Sequence, residues 1–187
     1  MKIGILAVQG AFIEHEKILQ ELGAECVELR QKSDITEDID GLVLPGGEST
    51  VQGQLLVELD MFDILKEKID SGSPVLATCA GLILLSEEIV NDKNRYFASL
   101  PVITRRNAYG RQLGSFETTQ QLKGIGSFKM TFIRAPYIES VGDGVEVLAE
   151  VDNKIVAVRY KNQIGLAFHP ELGEDYRIHR YFLNIVK

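Results

Sequence analysis

VLATCAGLILL, residues 75–85, is an aliphatic run interrupted by one thiol and, two residues later, a glycine. The stretch 74–78 reads as a buried strand and Ala80 to Ile89 as a helix, so Cys79 falls on the turn between them. A strand feeding straight into a helix is the repeating unit of a parallel α/β sheet. The flanking sequence repeats it. KIGILAV (2–8) is a strand, and Ala11 to Leu22 a helix with Ile18, Leu19 and Leu22 on one face, ended by Gly23. Glu25 to Leu29 and GLVLP (41–45) are further strands, and Val51 to Ile69 is helical. Residues 96–169 read differently: VEVLAEV, KIVAVRY and QIGLAFH are short strands separated by turn residues, as in an antiparallel meander. Asp175 to Val186 is a closing helix. The expectation is one α/β domain over residues 1–187: a three-layer, open, mostly parallel sheet with helices on both faces and antiparallel strands in its second half.

Composition narrows the function classes. The 187 residues are 45% hydrophobic and 25% charged, as in a soluble globular protein. Net charge is −7, the pI is about 5.1 and there is no basic stripe, which argues against nucleic acid as a partner. No stretch approaches the roughly 18 apolar residues that span a membrane. MKIGILAVQG reads as a strand reaching a turn rather than a leader, so a cytoplasmic location is expected. Two cysteines, Cys26 and Cys79, make no disulfide framework, and no C-x-x-C or C/H cluster suggests a metal.

In open α/β sheets ligands bind beyond the carboxyl ends of the strands. Three segments are expected to end there together: VLP into Gly46-Gly47-Glu48-Ser49, VLAT into Cys79, and LAF into His169. Taken alone, Cys79 is better read as a small buried hydrophobe. A strand–nucleophile–helix turn is the competing reading, with Ala80 and Gly81 small enough to permit it and a helix N-terminus to favour a thiolate. His169 shifts that balance, because a thiol needs a base and a leaving amine needs an acid. Glu171, two residues on, can fix the imidazole tautomer. LPGGEST (44–50) is either an ordinary tight turn with a helix cap or a loop whose backbone N–H groups meet a ligand; the lysine and spacing of a phosphate loop are missing.

These blocks together resemble the triad-type, class I glutamine amidotransferases, with their flavodoxin-like fold. More closely they resemble the family of glutaminase subunits that serve pyridoxal 5′-phosphate synthases. AVQGAFIEH (7–15), LPGGEST (44–50), TCAGLILL (78–85), RRNAYGRQ (105–112), FIRAPYI (132–138) and AFHPEL (167–172) occur in order across nearly the whole chain. The resemblance implies that Cys79 attacks the side-chain amide of L-glutamine, that His169 transfers protons and that Glu171 orients His169. It implies oxyanion donors at Gly47 and Ala80, and glutamine binding by Gly46, Gly47, Glu48, Arg106, Ile133 and Arg134. It also implies a synthase subunit that activates the glutaminase and receives ammonia, contacted at Gln9 and Gly10, and no cofactor for this chain. On residue type alone both arginines would be solvated surface charges.

Ala77 stands where such relatives usually carry glycine, and tolerance of its small methyl is expected. Cys26 is expected in the core, while His15 and His179 are expected as surface or capping histidines. Three other readings compete: a glutaminase serving a different synthase, a scaffold that kept the fold and lost the chemistry, and an esterase-like or DJ-1-like cysteine protein. The intact Cys, His and Glu speak against the scaffold, and the GGES and His-Pro-Glu blocks have no reason to exist in the esterase.

Overall fold

The computed structural model describes residues 1–106 and 114–187; Asn107 to Gln112 of the RRNAYGRQ block therefore lie outside the described residues. Five parallel strands form the centre: β1 (Lys2–Leu6), β2 (Glu25–Leu29), β3 (Gly41–Leu44), β4 (Val75–Thr78) and β12 (Gln163–Leu166), in the order β2-β1-β3-β4-β12. β3, β4 and β12 are buried at every position because the sheet is covered on both faces there. The chain steps one way from β1 to β2 and the other way from β3 to β4, so the winding reverses between β1 and β3. With right-handed crossovers, α1 (Phe12–Glu21) then lies on the opposite face from α2 (Ser49–Glu58) and α3 (Phe62–Asp70). A crevice opens at such a reversal, beyond the carboxyl ends of the strands.

β12 departs from the simple meander. It forms a hairpin with β11 (Lys154–Tyr160) yet pairs in parallel with β4, placing Leu166 opposite Thr78. Beyond β11 the sheet continues antiparallel through β9 (Tyr137–Val141) to β6 (Leu100–Arg105), with β10 (Glu146–Val151) also on β11. β7 (Ser115–Leu122) and β8 (Gly126–Ile133) form a separate hairpin. Phe116 stacks on Phe132 within it, and Phe128 and Phe132 pack on Phe168, which ties the hairpin to the end of β12.

Two helices end earlier than their sequence suggests. The stretch from Val51 to Ile69 breaks into α2 and α3 because Asp60 adopts φ 54°, donating to the Val57 carbonyl while Met61 N donates to Leu56 O. Gly23 and Gly72 end α1 and α3 with the same pair of bonds. With aspartate rather than glycine in the left-handed position, the stop signal at 60 is weak. The helix expected over 80–89 is only α4 (Ala80–Leu85), all of it buried, and Ser86–Ile89 is instead strand β5 beside β6. The Ser86 hydroxyl bonds back to the Leu82 carbonyl, competing with the backbone where the helix stops. α5 (Arg177–Val186) closes the chain. Among the described residues, no helix is long and apolar enough to cross a membrane.

Candidate active site

β1, β3, β4 and β12 are adjacent and parallel, so the segments leaving their carboxyl ends meet on one side of the sheet. A cavity of about 360 Å³ lies there, lined by Gln9, Gly10, Gly46, Gly47, Glu48, Cys79, Ala80, Arg106, Ile133, Arg134 and His169. Every candidate site residue named from the sequence borders it except Glu171, which stands behind His169.

Cys79 follows β4 at φ 48° and ψ −99°, a conformation L-residues avoid, and it begins α4. Its backbone N–H is anchored to Leu166 O at 2.8 Å. Gly81 permits this bend: a side chain there would run into the backbone of Leu44, with Leu44 C 2.7 Å from the added Cβ. The cysteine is only 7% exposed. A buried residue held in a strained backbone state at the mouth of a cavity is the usual mark of a functional position.

His169 donates its backbone N–H to Thr131 O in β8 (2.8 Å), and its Nδ1 lies 2.6 Å from Glu171 Oε1. Burial alone would lower the imidazole pKa, but the hydrogen bonds to Cys79 and Glu171 outweigh it and push it up to about 10. Glu171 is held as carboxylate in the opposite sense: burial would raise it, while His15 and the His169 hydrogen bond hold it below the usual range. Gly46 presses against the imidazole, since a Cβ there would sit 2.9 Å from Nδ1.

The glycine loop is braced from β1. Gln9 Oε1 accepts from Glu48 N (2.8 Å), Gln52 Nε2 donates to Gln9 O (2.9 Å) and Pro45 O (3.2 Å), and Ala11 N donates to Gly46 O (3.0 Å). Glu48 is exposed and caps α2 by accepting from Thr50 N. The Arg106 guanidinium is tethered to Thr50 Oγ1 (2.9 Å) and Asp92 (3.2 Å), and its buried Nε finds no partner among the described residues. Arg134 is exposed on the turn after β8, at φ 42°. Among the described residues, no group of three or more acidic, histidine or cysteine side chains could hold a metal ion.

The family model described as "SNO glutamine amidotransferase family" matches residues 5–187. The chain belongs to the SNO glutamine amidotransferase family. It is 68% identical to a "Pyridoxal 5′-phosphate synthase subunit PdxT" from Desulfitobacterium hafniense strain Y51, over 100% of this chain and 94% of that protein. It is 54% identical to a protein of the same name from Streptococcus pneumoniae ATCC 700669, over 100% of this chain and 98% of the relative. A solved structure described as a glutamine amidotransferase superposes with a TM-score of 0.93 at 43% identity, covering 98% of both chains. A glutamine amidotransferase from Thermotoga maritima shares the fold, with a TM-score of 0.66 at 15% identity over 100% of this chain and 90% of that one.

For this SNO-family amidotransferase the sequence misplaced two histidines. His15 and His179 are neither surface nor capping residues; both are fully buried, 2.9 Å apart. The signal was present in the helical spacing. His15 lies three and four residues before Ile18 and Leu19, and His179 three and four before Phe182 and Leu183, on the faces that turn inward. Gln52, which clamps the Gln9 segment, was also missed. Cys26 is half-buried against the core, its pKa pushed up to about 11 by burial and by Glu16 and Glu25.

Proposed function

We propose that this protein is the glutaminase subunit of a pyridoxal 5′-phosphate synthase, a single cytoplasmic domain that hydrolyses L-glutamine and passes ammonia to a synthase subunit. Membership of the SNO amidotransferase family and the names of the relatives support the activity and the partner. The single observation supporting the chemistry is the strained Cys79 turn opening on a cavity that also holds His169, itself bonded at 2.6 Å to Glu171.

In this reading Cys79 surrenders its proton to His169, and its sulfur attacks the side-chain amide carbon of glutamine. The resulting oxyanion is met by backbone N–H groups of Gly47 and Ala80, the second at the start of α4. The imidazolium gives its proton to the departing nitrogen, which leaves as ammonia, and a glutamyl thioester remains. His169, now neutral, takes a proton from water as the water adds to the thioester; glutamate leaves and the thiol is restored. Glu171 keeps the imidazole oriented throughout. Gly46, Glu48, Ile133, Arg106 and Arg134 bind the amino-acid end, where an arginine suits the α-carboxylate. Gln9, which braces the glycine loop, and Gly10 beside it are the contact through which the synthase acts on it.

The test is glutamate release with and without purified synthase. The expected result is strong activation by the synthase and no activity for Cys79→Ala. Full activity of Cys79→Ala in the complex sinks the assignment of the nucleophile, and activation by an unrelated synthase instead sinks the assignment of the partner.

A further inference from the structure

The chain has three histidines, and all three lie in one buried chain of contacts although the reaction above uses only His169. From the cavity inward the order is Cys79, His169, Glu171, His15, His179. His15 Nε2 stands 3.4 Å from Glu171 Oε2 and 3.3 Å from Thr78 Oγ1, while His15 Nδ1 is 2.9 Å from His179 Nε2. The elements that meet here are far apart in sequence: α1, the end of β4, the turn after β12 and α5.

We propose that His15 is a positioning residue of the glutaminase reaction, neutral and protonated on Nε2, which holds the free oxygen of Glu171 and thereby the orientation of His169. The proposal rests on the assignment of Cys79, His169 and Glu171 given above.

Tautomers follow from the contacts. Between two neutral imidazoles only one nitrogen of the 2.9 Å pair can donate. If His15 donated from Nδ1, its bare Nε2 would face the carboxylate, and His179 would carry its proton on Nδ1. That atom is buried with no partner among the described residues, and an orphaned N–H is costlier there than an unused lone pair. The reverse arrangement has neither fault. His179 donates from Nε2 to His15 Nδ1, and His15 presents Nε2–H to Glu171 and Thr78.

Neutrality is supported by the surroundings. Burial lowers both rings, that of His179 well below the ordinary histidine value, and the positive His169 lowers His15 further, against the opposing pull of Glu171 and Glu14. Glu171 Oε2 is itself fully buried, and apart from the long approach of His15 it has no hydrogen-bond partner among the described residues. Its need for a donor grows when His169 gives its proton to ammonia and no longer balances the carboxylate. The Nε2–H of His15, shared at rest with Thr78, is the donor in place to meet that charge. A histidine pair that merely fills the core would have no such coupling to the catalytic cycle.

The experiment uses the glutaminase–synthase complex and follows glutamate release from about pH 6 to 10 for wild type, His15→Leu, His15→Gln and Glu171→Ala. Loss of an outer partner that orients a functional group costs about 10–100-fold, so His15→Leu is expected to lower kcat by about that factor with little change in KM. Its alkaline limb should move to lower pH, because a loosened Glu171 holds the His169 proton less well. His15→Gln keeps an amide N–H near the position of Nε2 and should recover most of kcat and restore the limb. Equal losses in both variants with an unmoved pH profile overturn the proposal and leave a packing role. Activity of both variants at the wild-type level overturns it as well. Full activity of Glu171→Ala overturns the triad assignment itself, which separates the two failures. Should His15→Leu not fold, ¹⁵N-histidine NMR of the wild-type chain decides: neutral, Nε2-protonated rings at both His15 and His179 support the proposal, and an Nδ1-protonated His15 overturns it.

Discussion

Gly46→Ala isolates how closely the glycine loop holds His169. The φ of Gly46 lies outside the left-handed region, so alanine meets no backbone strain and the effect is one of space alone. The added Cβ would stand 2.9 Å from His169 Nδ1 and closer still to Cε1, whereas ordinary contact begins near 3.4 Å. Nδ1 must therefore recede by about half an ångström, more at Cε1, or the loop must retreat from the cavity by a similar amount. Either movement disturbs the 2.6 Å bond from His169 to Glu171 or the spacing between imidazole and thiol. A charge-assisted hydrogen bond is worth about 1.5–3 kcal/mol, and misplacement of a reacting group by about 1 Å can cost about 10²-fold. We expect kcat to fall by about 10–100-fold in the synthase complex, with folding stability reduced by no more than about 1–3 kcal/mol, the usual overpacking cost. The assay is glutamate release at saturating glutamine, alongside urea unfolding. Wild-type kcat in a protein shown to carry the substitution would refute the reasoning, because His169 would then be free to move without consequence.

Three further outcomes follow from the same geometry. Cys79→Gly and Cys79→Ala should both be inactive, but the glycine variant should be more stable by about 1 kcal/mol in denaturant titration, since only it escapes the left-handed strain at φ 48°; the reverse order would mean that the turn is not strained. His169 is raised from 6.5 to about 10, so its pairing contributes stability that is complete below pH 6.5 and is lost as pH rises through about 10. Melting temperature should fall across that window and fall less steeply in Glu171→Gln; parallel curves would contradict the pairing. Ala77 is fully buried in β4, in register with Leu44 and Gly165. Ala77→Gly should therefore retain activity and lose about 1 kcal/mol of stability through strand entropy and a missing methyl, and a rise in stability would show that the methyl is crowded.

Much of this protein is written in local patterns. A strand of apolar residues, a glycine stop and a small-residue turn each depend on neighbours a few positions away, so KIGIL, GLVL and VLAT were legible as strands, and their ends as one rim. The family blocks were legible for the same reason, each being a contiguous run. The broken helix at Asp60 was not, because aspartate, unlike glycine, does not by itself signal the left-handed state it adopts there. Nor was the parallel seat of β12 beside β4, which a hairpin-forming sequence does not announce.

The sequence by itself determined that Cys79 and the glycine loop meet at the carboxyl ends of parallel strands, since strand direction carries both there, whereas the seat of β12 beside β4 is what brings the expected His169 to them. Only the tertiary structure decided what stands behind them. His15 and His179 are 164 residues apart; packing α1 against the turn at Pro170–Leu172 brings the His15 ring to Glu171, and α5 sets His179 against His15. Burial then turns an ordinary histidine into a neutral partner of a carboxylate, backed by a second ring, a property of the enclosed site and of no segment alone.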